Sequence, residues 1–226
     1  MVQKLRIEGI YDKRTLLHLK SLGLKDFCFD FSPKSFNFIQ EYVFLEQILI
    51  ALSPTDRVFL HFKRSNDPMV LKLIDDLIKS GQNLENVYFE FDEWSSDLRP
   101  IDFNYNFLLN FSNDTDPMKL MGKNFQGFIF NFNFFQELYQ SNLLHNFAIN
   151  FYTRYHTLID DHRLMLLKID WQNDLLASLF EYFEFNLISF PINSQIEICY
   201  RNVDLKKLSS EMEIFKKNNF VFQDLK

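Results

Sequence analysis

The feature that most constrains the fold is a recurrence of short apolar runs rich in Phe, Val and Ile, separated by stretches of helical periodicity. Nine such runs stand at Leu5–Ile10, Phe27–Phe31, Val58–Phe62, Val87–Phe91, Phe107–Phe111, Phe128–Phe132, Phe147–Phe151, Leu166–Ile169 and Leu187–Phe190. Strand then helix, repeated, is the pattern of a parallel sheet covered by helices. Several runs alternate Phe with a polar residue, as in Phe27-Cys28-Phe29-Asp30-Phe31, Phe89-Glu90-Phe91-Asp92 and Phe128-Ile129-Phe130-Asn131-Phe132-Asn133. Period two on a strand sends Phe to one face and the polar groups to the other. An open doubly wound sheet lies under helices on both faces, and its strands read as nearly unbroken apolar runs. In a closed barrel one parity packs on the helices while the other points to the axis. The alternation therefore predicts an α/β chain folded as a single (β/α)8 TIM barrel.

The helix signals agree with that order. Asp67 is a plausible N-cap with Pro68 at the first helical position, Gly81 a plausible terminator, and Val70, Leu71, Ile74, Leu77 and Ile78 a stripe between them. A second helix is expected from about Asp12 to Leu22, closed by Gly23, and a last one from about Asp204 to Lys217. No linker rich in Pro, Gly or Ser divides residues 1–226, which reads as one domain.

Composition narrows the function. With 47% hydrophobic residues and 28 Phe, the chain is too apolar for disorder, yet no stretch approaches the roughly 18 uncharged apolar residues of a membrane span. The opening MVQKLRIEG has no apolar signal region, and Cys28 and Cys199 form neither a disulfide framework nor a zinc-site spacing. A cytoplasmic protein is expected. A net charge of −6, with basic residues clustered only in pairs such as Lys63-Arg64 and Lys206-Lys207, argues against nucleic acid as a partner.

Specific segments resemble a known family. Arg6-Ile7-Glu8-Gly9-Ile10 is similar to the K-I-C-G-I first strand of phosphoribosylanthranilate isomerase. Phe31-Ser32-Pro33-Lys34-Ser35-Phe36-Asn37-Phe38-Ile39 resembles its F-x-P-K-S-P-R-Y-V segment after strand two, and Val87 to Glu93 its V-Q-L-H-G-D-E. Leu166–Ile169 and Leu187–Phe190 have the spacing of its seventh and eighth strands, and Val203-Asp204 is similar to the V-K-D before its closing helix. The resemblance implies a (β/α)8 barrel and an Amadori rearrangement carried by a Cys base on strand one and an Asp acid on strand six. Here the Cys position is Glu8, and the Asp position is Asn131, or Asn150 if strand six is Phe147–Phe151. The family's substrate-holding Arg is Asn37. Its phosphate-binding glycines after strands seven and eight are replaced by Lys168-Ile169-Asp170-Trp171 and Ser189-Phe190-Pro191-Ile192.

These departures predict an isomerase-like barrel that has lost the isomerase activity and serves a binding or structural role. The alternative is an enzyme of altered chemistry, of isomerase or lyase type, with Glu8 as general base on a small polar substrate. As a base, Glu8 would need its pKa raised toward the useful range by burial among Phe side chains; the favoured reading is that Glu8 pairs with a Lys or His inside the barrel. The residues expected to meet a small polar ligand at the C-terminal face are Lys34, Asn37, His61, Glu90 and Asp170, with Arg64 and Arg154 as further cations for a rebuilt phosphate site. No metal spacing, P-loop or nucleotide fingerprint occurs, so neither metal nor cofactor is expected. Phe36, Phe38, Phe134 and Phe135 are candidates for an apolar patch that suits a protein partner; the chain is expected to be a monomer or homodimer.

Overall fold

Eight of the nine runs become barrel strands. The computed structural model describes residues 4–94, 105–120, 124–159, 163–171 and 179–220. Strands β1 (Lys4–Glu8), β2 (Asp26–Asp30), β3 (Arg57–Arg64), β4 (Val87–Glu93), β5 (Asn106–Asn110), β6 (Phe125–Asn131), β7 (Leu164–Lys168) and β8 (Leu187–Pro191) pair in chain order. All eight are parallel, and β1 closes the ring on β8 through Lys4–Glu8 against Leu187–Pro191. This is a single (β/α)8 barrel.

The ninth run, Phe147–Phe151, lies within helix α5 (Leu144–Tyr155), directly after α4 (Phe132–Gln140). Its buried residues Leu144, Ala148, Phe151 and Tyr155 recur at helical spacing, and the run lacks the polar alternation of the true strands. Phe132, expected as the end of strand six, instead opens α4.

The two parities form two separate apolar clusters. Outward-facing Phe27, Phe29, Phe62, Phe89, Phe91, Phe107, Phe128 and Phe130 pack under the helices. Inward-facing Cys28, Phe59, Leu108, Ile129, Leu166 and Leu187 fill the axis. Phenylalanine thus builds mainly the shell between sheet and helices, each fully buried ring contributing about 1.5–3 kcal/mol.

Helix α1 (Lys13–Ser21) starts where Asp12 accepts hydrogen bonds from the Thr15 amide and hydroxyl, at 2.8 and 2.7 Å. A short turn α2 (Glu41–Val43) continues through a π and a 3-10 turn to Ala51. Helix α3 (Pro68–Lys79) begins at the Asp67 cap and ends before Gly81, whose φ of 76° is left-handed. Its buried stripe is Val70, Leu73, Ile74 and Leu77; Leu71 and Ile78, expected inside, are exposed because they sit on the stripe's flanks. Helix α6 (Leu205–Phe220) closes the order.

Between β8 and α6 an antiparallel hairpin, β9 (Glu197–Cys199) and β10 (Asn202–Val203), lies over the ends of the first two strands. Arg201 donates to the Phe38 carbonyl at 2.8 Å and covers the Tyr11 ring at 4.4 Å, and the Tyr11 hydroxyl donates to Glu197. Phe36 packs edge-on against Tyr200 of this hairpin, whereas Phe134 and Phe135 join the aromatic layer around Phe147 and Phe183. The four phenylalanines expected to form one patch are therefore divided between two places.

Gly9 ends β1 with a φ of 77°, and a Cβ there runs into the Asn37 side chain. Gly9→Ala is expected to lower the unfolding free energy by about 1–3 kcal/mol, through left-handed strain and displacement of Asn37. An unchanged urea midpoint would refute this account.

Candidate functional site

Arg6 and Glu8 share the inward parity of β1, so both side chains enter the barrel. Arg6 is fully buried. Its guanidinium pairs with the equally buried Glu90 of β4, donates to the Ser189 hydroxyl of β8 at 2.9 Å, and meets Glu8 at 3.3 Å. It also lies 4.7 Å over the Phe59 ring. Lys168, at the end of β7, reaches Glu8 at 3.3 Å and Glu90 at 3.9 Å. The Ser189 hydroxyl lies 3.1 Å from Glu8, and the Cys28 thiol points at Glu90 from 3.7 Å. Two cations and two carboxylates from three strands, joined by the Ser189 hydroxyl of a fourth, thus form one network across the axis.

The network sets the charge states. Burial works to raise the Glu8 carboxyl, but the Lys168 ammonium and the Arg6 guanidinium outweigh it and hold the group below its usual range. Of the two readings of Glu8, the contacts are those of an acid paired with a lysine inside the barrel, not of one raised by apolar burial: burial raises a carboxyl only where no cation is buried with it. Burial likewise disfavours the charged Lys168, and Glu8 and Glu90 more than offset it, so its pKa rises. Burial and the Glu90 charge push the Cys28 thiol up, keeping it protonated.

A second polar layer lies nearer the mouth. His61 of β3 bridges Asp30 and Asp92 at 3.0 Å on either ring nitrogen, and Asn110 donates to Asp92. Burial and the nearby Lys168 oppose a charged imidazole; the two carboxylates prevail and lift His61 to about 9. Beside this layer a cavity of about 260 Å³ opens between Asp92, Trp94, Asn110 and Asp116.

The other expected site residues are placed apart from that network. Asn131 ends β6 and its side chain accepts from the Asn133 amide, capping α4. Asn150 lies in α5, away from any strand end, because strand six is Phe125–Asn131. Asn37 donates to the Ile192 carbonyl at 2.6 Å, tying the segment after β2 to that after β8. Lys34 is exposed in the turn after β2. Asp170 follows β7 and faces Asn193 at 3.4 Å. Arg64 pairs with Glu93, and Arg154 donates to the carbonyls of Asn113 and Thr115. Among the described residues, no group of three or more His, Cys, Asp or Glu is placed to hold a metal ion, and no helix is long and apolar enough to cross a membrane.

Three contributors escape the sequence reading. Arg6 was signalled by its parity with Glu8 in Leu5-Arg6-Ile7-Glu8, whereas nothing in the sequence marks Ser189 as a partner of both. Trp171, where the resemblance expects glycine, stacks on Phe190 at 4.5 Å and donates its indole N–H to the Pro191 carbonyl at 2.9 Å. The indole thereby bridges the ends of β7 and β8.

No family model and no curated protein sequence matches the chain. Solved structures do. Phosphoribosyl anthranilate isomerase from Thermotoga maritima aligns over 94% of this chain and 98% of its own, with a TM-score of 0.60 at 16% identity. The enzyme from Thermus thermophilus aligns over 94% and 100%, with a TM-score of 0.56 at 15% identity. A third structure, of phosphoribosyl anthranilate isomerase in complex with reduced 1-(o-carboxyphenylamino)-1-deoxyribulose 5-phosphate, aligns over 94% of this chain and 97% of its own, with a TM-score of 0.61 at 17% identity. The chain has the fold of the phosphoribosylanthranilate isomerases.

Proposed function

We propose that this chain acts as one domain, a cytoplasmic isomerase-like barrel without isomerase activity, whose role is binding or structural. The observation that carries this reading is the fixation of Glu8. Where the resemblance implies a catalytic base, Glu8 is held ionised by Lys168, Arg6 and Ser189. A carboxylate with a lowered pKa is a weak proton acceptor near neutral pH, and one ringed by cations gains nothing by taking a proton. The implied acid position holds Asn131, whose amide has no acidic proton to give and whose oxygen caps a helix.

The phosphate grip is also replaced. Glycine lets backbone N–H groups approach a phosphate closely. Trp171 and Phe190 put stacked rings there instead, and Asn37, at the position of the family's Arg, is engaged by Ile192. A binding role at the C-terminal face would use the cavity beside Asp92 and Asn110 for a small polar ligand, in a monomer or homodimer.

Purified protein supplied with phosphoribosylanthranilate is expected to give no turnover above the uncatalysed rate. Turnover that Glu8→Gln abolishes would overturn the proposal in favour of an enzyme with Glu8 as base.

A further inference from the structure

The other end of the barrel carries a feature that neither the fold nor the mouth accounts for. A cavity of about 440 Å³ opens at the N-terminal face, among the first residues of β1, β2 and β3, the loop from α1 to β2, and α6. Its size is that of an ordinary small-molecule pocket. Four cations line it, Lys4, Lys25, Arg57 and Lys216, against one carboxylate, Asp26. That carboxylate is already paired with the Arg57 guanidinium. Among the described residues, no carboxylate comes within ion-pair distance of Lys4, Lys25 or Lys216.

In a chain of net charge −6, such a concentration of unneutralised positive charge around one concavity is a local inversion of sign. Like charges gathered there repel each other, and a bound anion relieves that repulsion. Leu5, Leu22 and Leu24 make part of its wall apolar, and Thr55 and Asn86 add neutral hydrogen-bonding groups. The Asn86 amide donates to the Pro54 carbonyl at 2.9 Å and the Lys20 ammonium holds Asp56 at 2.7 Å, so the segment 53–57 that carries Thr55 and Arg57 is anchored on both sides.

We propose that this N-terminal cavity is a binding site for a small phosphate monoester, its phosphate among the four cations and its organic portion on the leucine wall. Ammonium groups serve as mobile point charges for phosphate, and Arg57 supplies a planar fork that its Asp26 partner holds in place. The site is remote from the Glu8 network, so it stands or falls independently of any chemistry at the mouth.

Calorimetric titration of the purified protein with phenyl phosphate, and separately with inorganic phosphate, tests the proposal. Phenyl phosphate is expected to bind at least tenfold more tightly than inorganic phosphate, because only it covers the leucines. Lys25→Glu with Lys216→Glu, both on exposed side chains, is expected to weaken phenyl phosphate at least tenfold while the free protein keeps its far-ultraviolet circular dichroism. Lys63→Met, an exposed cation at the opposite end of β3, is expected to leave binding unchanged. Equal binding of the two probes, absence of binding, retention of affinity in the charge-reversed variant, or its loss in Lys63→Met would each overturn the assignment.

Discussion

Arg6→Met is expected to lower the unfolding free energy by about 3–5 kcal/mol, the usual cost of stranding a buried charge. The substitution leaves Glu90, fully buried, with Lys168 at 3.9 Å as its remaining cation, and that same ammonium must also serve Glu8. Hydrophobic contact is nearly conserved, since methionine fills most of the arginine stem's volume, so the loss reports charge rather than a cavity. Replacing both partners, as Arg6→Met with Glu90→Leu, is expected to recover most of it. Apolar pairs of similar volume match or exceed buried ion pairs in stability, and the Glu8–Lys168 contact survives. Urea unfolding followed by circular dichroism measures both. An Arg6→Met variant within about 0.5 kcal/mol of the parent, the scatter of ordinary surface substitutions, would mean that water reaches the network and that Glu8 is not held as described.

The second large effect is a dependence on pH carried by His61. Its folded value of about 9 lies above its ordinary 6.5. Below 6.5 both folded and unfolded chains hold the proton, and the full stabilisation is present. Between 6.5 and 9 only the folded chain holds it, so stability falls as pH rises, by at most about 3 kcal/mol for this shift at roughly 1.4 kcal/mol per unit. The partners act at the other end. Burial raises Asp30 and Asp92, the hydrogen bonds from His61 outweigh it, and both lie below their ordinary 3.8. Their contribution is present above that value and is lost as pH falls further. Stability is thus expected to be greatest between about pH 4 and 6.5. His61→Gln keeps a polar side chain without the charge, and its unfolding free energy is expected to be flatter from pH 6.5 to 9. Parallel profiles for parent and variant would show that the imidazole is not held as a cation between its two aspartates.

Much of the fold was legible because parity is a local property. Cys28, Asp30, Glu90 and Asp92 sit on the polar side of Phe-alternating strands, and a closed barrel is the arrangement that gives both sides a use. The misread run, Phe147–Phe151, shows the limit: two phenylalanines four residues apart serve a helix face as well as an apolar strand. The site was legible only in part. The sequence marks Glu8 as an inward acid, but its charge state depends on Arg6, Lys168 and Ser189. Which inward residues meet is fixed by strand stagger around the ring, and no local pattern encodes the 84-residue separation of Arg6 from Glu90. The role of Trp171 was not legible for a related reason, since the resemblance describes the missing glycine and not what fills its place.

The pairing of β1 with β8 has a consequence for how the chain is made. The Arg6–Ser189 hydrogen bond joins residues 183 apart, and the five-residue ladder around it forms only after Pro191 has left the ribosome. Until then both edges of a curved, Phe-rich sheet stand open, and a charge network that needs β1, β4, β7 and β8 together is incomplete. Long-range closure of this kind is slow, and open edges invite pairing with other chains. Synthesis of this protein therefore passes through its most aggregation-prone interval late, when nearly the whole sheet is present and still unclosed, which makes the tempo of translation through the last strand a determinant of yield.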